Sequence, residues 1–578
     1  MIEEINKIIQ KVVKSVSNGL VTEIRIEYPR PEMADVAICC TSIAALVKKS
    51  PTIIATDIAE QLSRSILFDS VTIAGPYVNI RFNNERLFYD AIQVPIEKNI
   101  KTSHAERIMV EYLSPNTNKP LHLGHIRNGV IGSCLANLLA AVGHIVIRTN
   151  LINDRGIHIC KSMLAYQLFG NSATPESTAK KGDHFVGDWY VRYGNEEKRD
   201  LSLKEKTENM LFSWEKGDTE IRSLWTKMNQ WMYAGFAVTT TRFKFYFDRV
   251  YYESELYQLG KENVQKGLDQ GIFVRDKDGA LRYPLSVEKY GVGPAGEPRM
   301  PKVLNADGTS VYMTQDIGIA IKKVEDFNLD RSIYVVASEQ KQHFQALFDI
   351  LKSLGYSWAD KCFHLSYGMV ELPDGRMKSR EGTSVDADNL ADEMALLAQN
   401  IIIEKTSGID QEEVIRRAEI ISITAISFFL LHYRADSNVI FDIKKSLSFD
   451  GDTGPYCLYT YARARNILER VKTEKGWSPL QSLTTDYSLL TTVEERALAI
   501  EILRFPEVIK EAANNYEMSL LPEQMIRISK AFNRFYRDHQ VIGEDEVLMG
   551  ERLALVAATA ESLKWGFSFF NVVPLERM

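Results

Sequence analysis

The sequence predicts an α/β fold: a parallel-sheet domain, preceded by a small α+β unit and followed by an all-helical region. Three observations predict it. Residues 107–151 run strand, loop, helix, strand, and a βαβ unit joins parallel strands. Strand and helix text alternates again through "SVYMTQDIGIAIKK", "SIYVVASEQKQHFQALFDILKSLG" and "HLSYGMVEL", residues 310–372. From about residue 410 onward the text is almost wholly helical, without a short repeat or a low-complexity run.

In chain order, residues 1 to about 95 form the α+β unit. The apolar spacing of "MIEEINKIIQKVVKSV" predicts a helix over 3–17. "VTEIRIEY" and "DVAIC" read as strands on either side of the turn "PRPEM". Helical stretches follow near 43–49 and 56–66, and "VTIAGPYVNIRF" closes the unit with β-type residues. The polar stretch "EKNIKTSHAE" leads to the strand "RIMVEYL" and to "SPNTNKP", a loop of turn formers. A helical pattern from about Leu121 runs through Ile126, Ile131, Leu135, Leu138, Leu139 and Val142, stops at Gly143, and gives way to the strand "IVIRTNL". Residues 170–300 break the rhythm with polar, helical text and scattered Trp and Tyr, and are expected to be an insertion.

Bulk properties bound the function. A chain of 578 residues is too long for one core, and length alone suggests about four domains. Hydrophobic content of 45% and charged content of 25% are the balance of a soluble globular protein. No apolar run reaches the roughly 20 residues of a membrane helix. The acidic start lacks the basic segment and apolar block of a secretory signal, so a cytoplasmic address is expected. Six cysteines, none in a C-x-x-C pair, argue against structural zinc and a disulfide framework. A net charge of −7 weighs against wholesale coating of nucleic acid and leaves room for a local basic surface.

"NKPLHLGHIRN", residues 118–128, sets two of only 10 histidines either side of Leu-Gly, after a strand and at a helix start. Free N–H groups and the dipole of a helix N-terminus attract anions. Gly124 lets a flat ring approach the backbone. His122 and His125, at i and i+3, share a face. Their ring N–H groups suit a developing charge on a pentacovalent α-phosphate. Alone, H-x-G-H is a modest signal: a lone histidine is more often a cap or solvated, and this spacing also suits zinc, though no third and fourth ligands accompany it. The position after a strand favours phosphate. A second segment, "ELPDGRMKSREGTSV" (371–385), carries Gly375, Gly382, Arg376, Lys378 and Arg380. Such a basic loop at a strand's C-terminal end can fold over a triphosphate, although a charge run taken alone is usually a solvated hairpin.

"PLHLGH" resembles the first signature of class I aminoacyl-tRNA synthetases, and "RMKSR" resembles a degenerate form of the second, in matching order and separation. The blocks "VEYLSPNTNKPLHLGHIRNGVIG", "YMTQDIGIA", "YVVASEQKQHFQALFDILKSLGY", "GMVELPDGRMKSREGT", "SFDGDTGPYCLYTYARARNIL" and "PLERM" narrow the resemblance to the arginyl-tRNA synthetase family. "AGPYVNIRF" is similar to the close of that family's N-terminal domain. The resemblance spans nearly the whole chain and is weakest in the insertion. It implies a class I Rossmann-type catalytic domain over 99–400 with the insertion at about 170–300. It also implies an N-terminal α+β domain (1–98) that touches the tRNA elbow, and an all-α anticodon-binding domain (401–578). The implied reaction joins arginine to AMP from ATP, releases pyrophosphate and esterifies the 3′ terminal adenosine of tRNA, with activation dependent on tRNA. ATP and Mg2+ are the implied cofactors, without a dedicated protein cage for the metal. The implied partners are L-arginine and tRNA(Arg), with no membrane and no DNA, and a monomer is the default.

By resemblance, His122, Gly124 and His125 contact ATP, and Lys378 and Ser379 match the working end of the second signature. Gly375 stands where that signature's first lysine belongs. Family members with this gap carry a lysine ahead of the histidines, here Lys119, so Lys119, Arg376 and Lys378 divide the role, with Met369 beside the nucleotide. The implied arginine pocket is Glu111, Asn116, Tyr312, Asp316 and Gln340. Chemistry agrees, since a planar fork of five donors asks for carboxylates and well-placed acceptors. Asp316 and Tyr312, four apart, take the guanidinium end. Glu111 and Asn116 take the amino and carboxylate end, with Gln340 beside them. Without the resemblance, Glu111 reads as an edge-strand carboxylate in solvent and Asp316 as a helix N-cap. Asp154 and Gly156 in "NDRG" match a position lining the site floor, with Arg155 where the family has an aromatic. No general base is evident or needed, because the carboxylate nucleophile is already ionised. Lysine, a point charge, cannot satisfy a forked site, so no editing domain is required.

The C-terminal helices carry the expected RNA face. "YTYARARNILERVK" interleaves Tyr459, Tyr461, Arg463, Arg465 and Arg470, and "RISKAFNRFYRDH" adds Arg527, Lys530, Arg534, Phe535, Tyr536 and Arg537. Cations grip phosphates and aromatics stack bases, but a tyrosine stripe at helical spacing is usually core. Two rival readings stand: a class I synthetase for glutamate, glutamine or cysteine, against which the carboxylates of Glu111 and Asp316 count, and a synthetase-like RNA-binding or regulatory chain, against which intact His122, His125 and Lys378 count.

Overall fold

Apolar residues recur along one face from Ile2 to Val16, and the computed structural model opens with the helix that this spacing demands, α1 (Ile2–Val16), burying Ile2, Ile5, Ile9, Val13 and Val16. The structure describes residues 1–94, 100–292, 296–373, 375–376, 385–405, 408–476 and 486–578, except 22, 23 and 25. These form two compact units: residues 1–101 with 402–428 and 445–578, and residues 102–401 with 429–444.

The first unit continues with β1 (Val36–Cys39), α2 (Thr41–Val47), α3 (Pro51–Leu62), β2 (Phe68–Ala74) and β3 (Tyr77–Phe82), whose strands pair antiparallel in the order β1-β3-β2. Of "VTEIRIEY" the described residues retain one bridge, Glu27 to Ala37. A helix absent from the sequence reading, α4 (Asn84–Gln93), follows, capped by the Asn83 side chain, which accepts from the Arg86 N–H.

The second unit holds the parallel sheet. In chain order it contains β4 (Arg107–Glu111), α5 (Leu123–Ala141), β5 (Ile145–Ile152), α6 (Ile157–Phe169), α7 (Gly182–Glu197), α8 (Ser202–Glu215), α9 (Thr219–Arg242), β6 (Arg249–Tyr252) and α10 (Glu253–Asp269). A small antiparallel sheet of β7 (Val274–Arg275), β8 (Leu281–Arg282) and β9 (Lys302–Leu304) encloses the short α11 (Val287–Tyr290). Then come α12 (Tyr312–Phe327), β10 (Arg331–Ala337), α13 (Lys341–Ser353) and β11 (Cys362–Tyr367). The five long-range strands pair in parallel in the order β11-β10-β4-β5-β6. Strand β6 lies inside 170–300, so that stretch is not one uninterrupted insertion. Its four residues "RVYY" bury only Tyr251 fully, too short and too polar a pattern to register as a strand.

Chain order reverses between β4 and β10, and ligands bind outside the carboxyl ends of strands at such a switch point. Here the backbone leaves β4 through Leu113 (φ 77) and Ser114 (φ 43), a region that side chains enter only at a cost of about 1–3 kcal/mol each. Asn128 on α5 offsets this strain. Its Oδ1 accepts from the Leu113 N–H, and its Nδ2 donates to the Val335 carbonyl (2.7 Å) and the Tyr367 hydroxyl (3.2 Å), joining β4, β10 and β11.

The chain closes the unit with β12 (Val370–Leu372), β13 (Gly375–Arg376), α14 (Ala387–Lys405) and, after α15 (Gln411–His432), which belongs to the first unit through Phe428, β14 (Val439–Ile440), the last pairing in parallel with β12 within text that reads as helical. After α16 (Ile443–Ser446), helices α17 (Gly454–Lys475), α18 (Val493–Asn515), α19 (Leu520–Asp538) and α20 (Glu546–Ser568) complete the first unit. All six cysteines are free, and no described helix is long and apolar enough to cross a membrane.

Helices α10 and α12 cross in direct backbone contact. A Cβ on Gly260 would stand 1.8 Å from the Thr314 carbonyl oxygen, and one on Gly318 would stand 2.5 Å from the Gly260 nitrogen. Neither neighbour can yield, since both are backbone. Gly260→Ala is therefore expected to destabilise the second unit by about 3 kcal/mol, as overpacking of a close crossing does, read as a lower urea midpoint at constant slope.

Candidate active site

The first turn of α5 carries the two histidines expected on the nucleotide side. His122 is its N-cap and His125 sits three residues on, with ring centroids 3.9 Å apart and planes at 33°. The His122 backbone N–H donates to His125 Nδ1 (3.1 Å), which leaves the proton of the neutral His125 ring on Nε2. His122 Nδ1 is buried without a hydrogen-bond partner. Burial, then the charge of Lys119, lowers the His122 pKa to about 3, and burial with the same neighbours holds His125 well below its ordinary value. Two neutral imidazoles thus stand at the positive end of a 19-residue helix. Burial also lowers the ammonium pKa of Lys119. Gly124 differs from expectation: a Cβ there would meet the His122 ring at 3.1 Å, so the bare face at Gly124 is covered by that histidine.

Both described roots of the 371–385 segment are tied to this helix. At one root the fully buried Arg127 guanidinium donates to the carbonyls of Gly368 (2.7 Å) and Met369 (3.0 Å), and also to those of Arg434, Ala435 and Ser437. At the other, the Leu123 N–H donates to the Val385 carbonyl and the Ala387 N–H to the Leu121 carbonyl, each at 3.0 Å. Met369 keeps its side chain exposed. Arg376 is described by its backbone in β13, and Lys378 and Ser379 lie outside the described residues.

The acidic side rises from α12 and α10. Tyr312 and Asp316 are one turn apart at the start of α12, as their spacing predicts. Tyr312 is 65% exposed, and Asp316 Oδ2 lies 2.5 Å from His343 Nε2. Burial would lower the His343 pKa, but the Asp316 carboxylate outweighs it and the pKa is raised. Glu253 begins α10 directly beyond β6, a residue the sequence reading missed because the stretch was taken as insertion. It is 3% exposed, its Oε2 has no hydrogen-bond partner, and Arg155 is 3.9 Å away. Burial, aided by the charges of Asp154 and Asp316, pushes its pKa up to about 8.

The remaining expected residues fall on the same strand ends with differing freedom. Asn116 is exposed and bridges to Asn153, and Gln340 is exposed on the short turn after β10. Glu111 is not the solvent carboxylate of an edge strand: it is 5% exposed, on central strand β4, and paired with the buried ammonium of Lys323. Asp154 does not line an open floor. It is 1% exposed, and its carboxylate accepts from the Ser254 N–H (2.8 Å) and hydroxyl (2.7 Å) and from the Tyr233 hydroxyl (2.8 Å). Gly156 (φ 102) caps α6 in a conformation side chains avoid. Arg155 is buried against the Tyr257 ring and pairs with Glu215.

The C-terminal helices separate surface from core. Arg463 bridges the exposed Tyr459 (hydroxyl 3.0 Å) and Asn533, and its guanidinium lies 5.5 Å from the exposed Tyr536 ring. Arg465 pairs with Glu576, and Arg534 with Glu494 (3.0 Å) and Glu32. Tyr461 and Phe535, expected on the RNA face, are core residues at 2% and 0% exposure, placed inward by their helical phase. Arg527, Lys530 and Arg534 line a cavity of about 270 Å³ together with Tyr28, Asp35 and Glu501.

Among the described residues, Asp183, His184 and Asp388 are grouped closely enough to hold a metal ion. The Lys181 ammonium stands 2.6 Å from Asp388 and 3.0 Å from Asp183, so a cation already compensates the group, and it does not fit a magnesium cage.

Comparison with known proteins agrees along the chain. The family model for class I tRNA synthetase (R) catalytic domains matches residues 90–443. Models for the DALR anticodon-binding domain and for the arginyl-tRNA synthetase N-terminal domain match 457–578 and 3–82. An arginine–tRNA ligase of Treponema denticola is 40% identical over 582 residues, covering 96% of this chain and 97% of that one. One from Bacteroides thetaiotaomicron is 41% identical over 497 residues, covering 82% and 81%. The solved arginyl-tRNA synthetase of Thermus thermophilus has the same fold, with a TM-score of 0.83 at 24% identity and full coverage of both chains.

The histidines give a direct check on the electrostatics. In nitrogen-15 spectra of histidine-labelled protein, His122 is expected to stay neutral down to about pH 4 and His125 to titrate well below the ordinary value near 6.5, while His343 titrates above it. Protonation of His125 near pH 6 would contradict the burial argument.

Proposed function

We infer the residue roles from one premise: this chain belongs to the arginyl-tRNA synthetase family and is an arginine–tRNA ligase. It activates arginine with ATP, releasing pyrophosphate, and transfers the arginyl group to the 3′ end of tRNA. The arginine carboxylate bonds to the α-phosphorus as the bond to pyrophosphate breaks, and the adenosine hydroxyl then displaces AMP from the arginyl carbonyl. The barrier in the first step is charge on the phosphoryl oxygens, and preorganised donors lower it. His125 Nε2–H and the His122 ring, at the positive end of α5, are those donors, acting as neutral groups that take no proton. Lys119, Arg376 and Lys378 supply the charge that the imidazoles lack and Ser379 adds a hydroxyl donor, with Gly124 and Met369 bordering the nucleotide. Mg2+ arrives with ATP, and no step is assigned to it.

Arginine lies along the sheet's carboxyl edge. Asp316 and Tyr312 take the guanidinium, with Glu253 as a second carboxylate beneath it. Asn116 and Gln340 serve the amino and carboxylate end, and Glu111, its charge offset by Lys323, holds the strand there. The observation that carries this reading is that the roots of the basic segment are hydrogen-bonded to the same helix turn that bears the histidines, at the sheet's switch point. Tyr459, Arg463 and Tyr536 offer a stacking and phosphate-gripping surface to the anticodon arm, and Arg465 and Arg534 extend it. The enzyme works as a cytoplasmic monomer.

Arginine-dependent pyrophosphate exchange is expected only when tRNA(Arg) is present. Exchange driven by another amino acid, and not by arginine, would defeat the substrate assignment. Asp316→Ala should raise KM for arginine by about a hundredfold or more, the loss of a charged hydrogen-bonding partner, with little change in KM for ATP. Equal losses for both substrates would remove Asp316 from the pocket.

The pocket also sets a pH dependence. Protonated His343 occupies Asp316 and protonated Glu253 carries no charge, so both compete against arginine at low pH. KM for arginine should fall as pH rises above the ordinary histidine value near 6.5 and through about pH 8, where Glu253 ionises, by at most about tenfold per unit, and His343→Asn should flatten that profile. A KM that rises with pH would reverse the assignment.

A further inference from the structure

Helix α7 reaches both segments that frame the nucleotide side. On one flank, Gly187 lies so close to Pro120 that a Cβ would stand 2.8 Å from the proline ring, two residues before His122. On the other, its first turn grips the N-terminus of α14. Asp386 caps that helix, accepting from the Asn389 N–H (2.9 Å), and its backbone bridges to His122. His184 Nε2 stands 3.1 Å from Asp386 Oδ2 and 3.7 Å from Asp388 Oδ2. The Lys181 ammonium donates to Asp388 (2.6 Å), to Asp183 (3.0 Å) and to the Thr239 hydroxyl (2.6 Å), and Thr239 donates to Asp388 (2.9 Å). Arg242, from the end of α9, adds the Asp388 carbonyl (3.2 Å) and the Asp392 carboxylate (2.7 Å). Asp183 and Thr239 are fully buried. The neighbouring carboxylates of Asp386 and Asp388 raise the His184 pKa to about 10, so the cluster is built from opposed, fixed charges.

A solvent-facing helix tip needs no such cluster. Its acidic members all belong either to α7 or to the segment whose backbone is hydrogen-bonded on both sides of His122. Fixing Asp386 and Asp388 therefore fixes Val385–Ala387, and those residues fix Leu121–Leu123. We propose that Lys181 and His184 are positioning residues for arginine activation: from the first turn of α7 they set the placement of the histidine turn through Asp386 and Asp388. This rests on the reading of His122 and His125 as the phosphate-facing donors. Neither residue touches the arginine pocket lined by Asp316 and Glu253, so loss of the cluster should act on turnover and leave arginine binding alone. A displacement of an ångström at a reacting group costs roughly a hundredfold in rate, which sets the scale.

Pyrophosphate exchange in the presence of tRNA, with the full-length enzyme, tests this. Lys181→Met and His184→Gln are each expected to lower kcat at least about tenfold, with KM for arginine within about twofold of wild type. Lys181→Arg should recover most of the rate, because it restores the cation. Thr239→Val, which keeps the buried shape, should show the same split at smaller amplitude even if the other variants fold poorly. His125→Ala is run alongside: if it leaves kcat intact, the histidine reading falls and this proposal with it. If His125→Ala is inactive while Lys181→Met, His184→Gln and Thr239→Val turn over normally, only the positioning role is overturned. A parallel loss of kcat, arginine affinity and thermal midpoint in all three would overturn it too, by showing a purely structural cluster.

Discussion

A guanidinium with no carboxylate among its hydrogen-bond acceptors organises the catalytic unit. Arg127 is fully buried, and its two terminal nitrogens are shared among five backbone carbonyls, from Gly368, Met369, Arg434, Ala435 and Ser437. Burial lowers its pKa to about 10, still far above neutrality, so the charge persists and the carbonyl dipoles must solvate it. A planar fork can address several chain segments at once, which the ammonium of a lysine cannot. As a result, two stretches distant in sequence are fastened around one side chain of α5. Asn128, the next residue, does the same for the ends of β4, β10 and β11. The histidine turn inherits its rigidity from these two neighbours.

The enzyme uses burial in two opposite ways within one neighbourhood. Around His122 and His125 it provides little negative charge, and the rings stay neutral. Around His184 it supplies two carboxylates, and the ring stays charged. Neutral imidazoles can give a hydrogen bond to an oxyanion without first losing a proton to it, whereas a charged imidazole flanked by aspartates works as a fastener. In the proposed reading the same residue type serves chemistry in one place and positioning in another, and environment alone separates the roles.

Legibility in the sequence followed the range of the interactions. The βαβ unit, the histidines at a helix start and the one-turn spacing of Tyr312 and Asp316 are local patterns, and periodicity exposes them. The Glu111–Lys323 pair spans 212 positions, and the Lys181–Asp388 contact spans 207, so no window of text contains either. Strand β6 failed to register because a four-residue strand at a sheet edge needs no apolar run, and Glu253 was hidden with it. On the RNA side, composition suggested the surface, but helical phase decides its members: Tyr459 and Tyr461 are two apart, so one is outside and the other is core.

The crossing of α10 and α12 has a consequence for tailoring substrate choice. Both helices begin with residues assigned above to the arginine pocket in the proposed reading, Glu253 on one and Tyr312 with Asp316 on the other, and at Gly260 and Gly318 main chain meets main chain with no side chain between. The spacing of the two helix starts is therefore a backbone dimension, closed to gradual adjustment by swapping one side chain at the crossing for a slightly larger one. An engineer wishing to admit a bulkier guanidino analogue would have to re-space two helices at a point away from the ligand, and the walls of the cavity would move together.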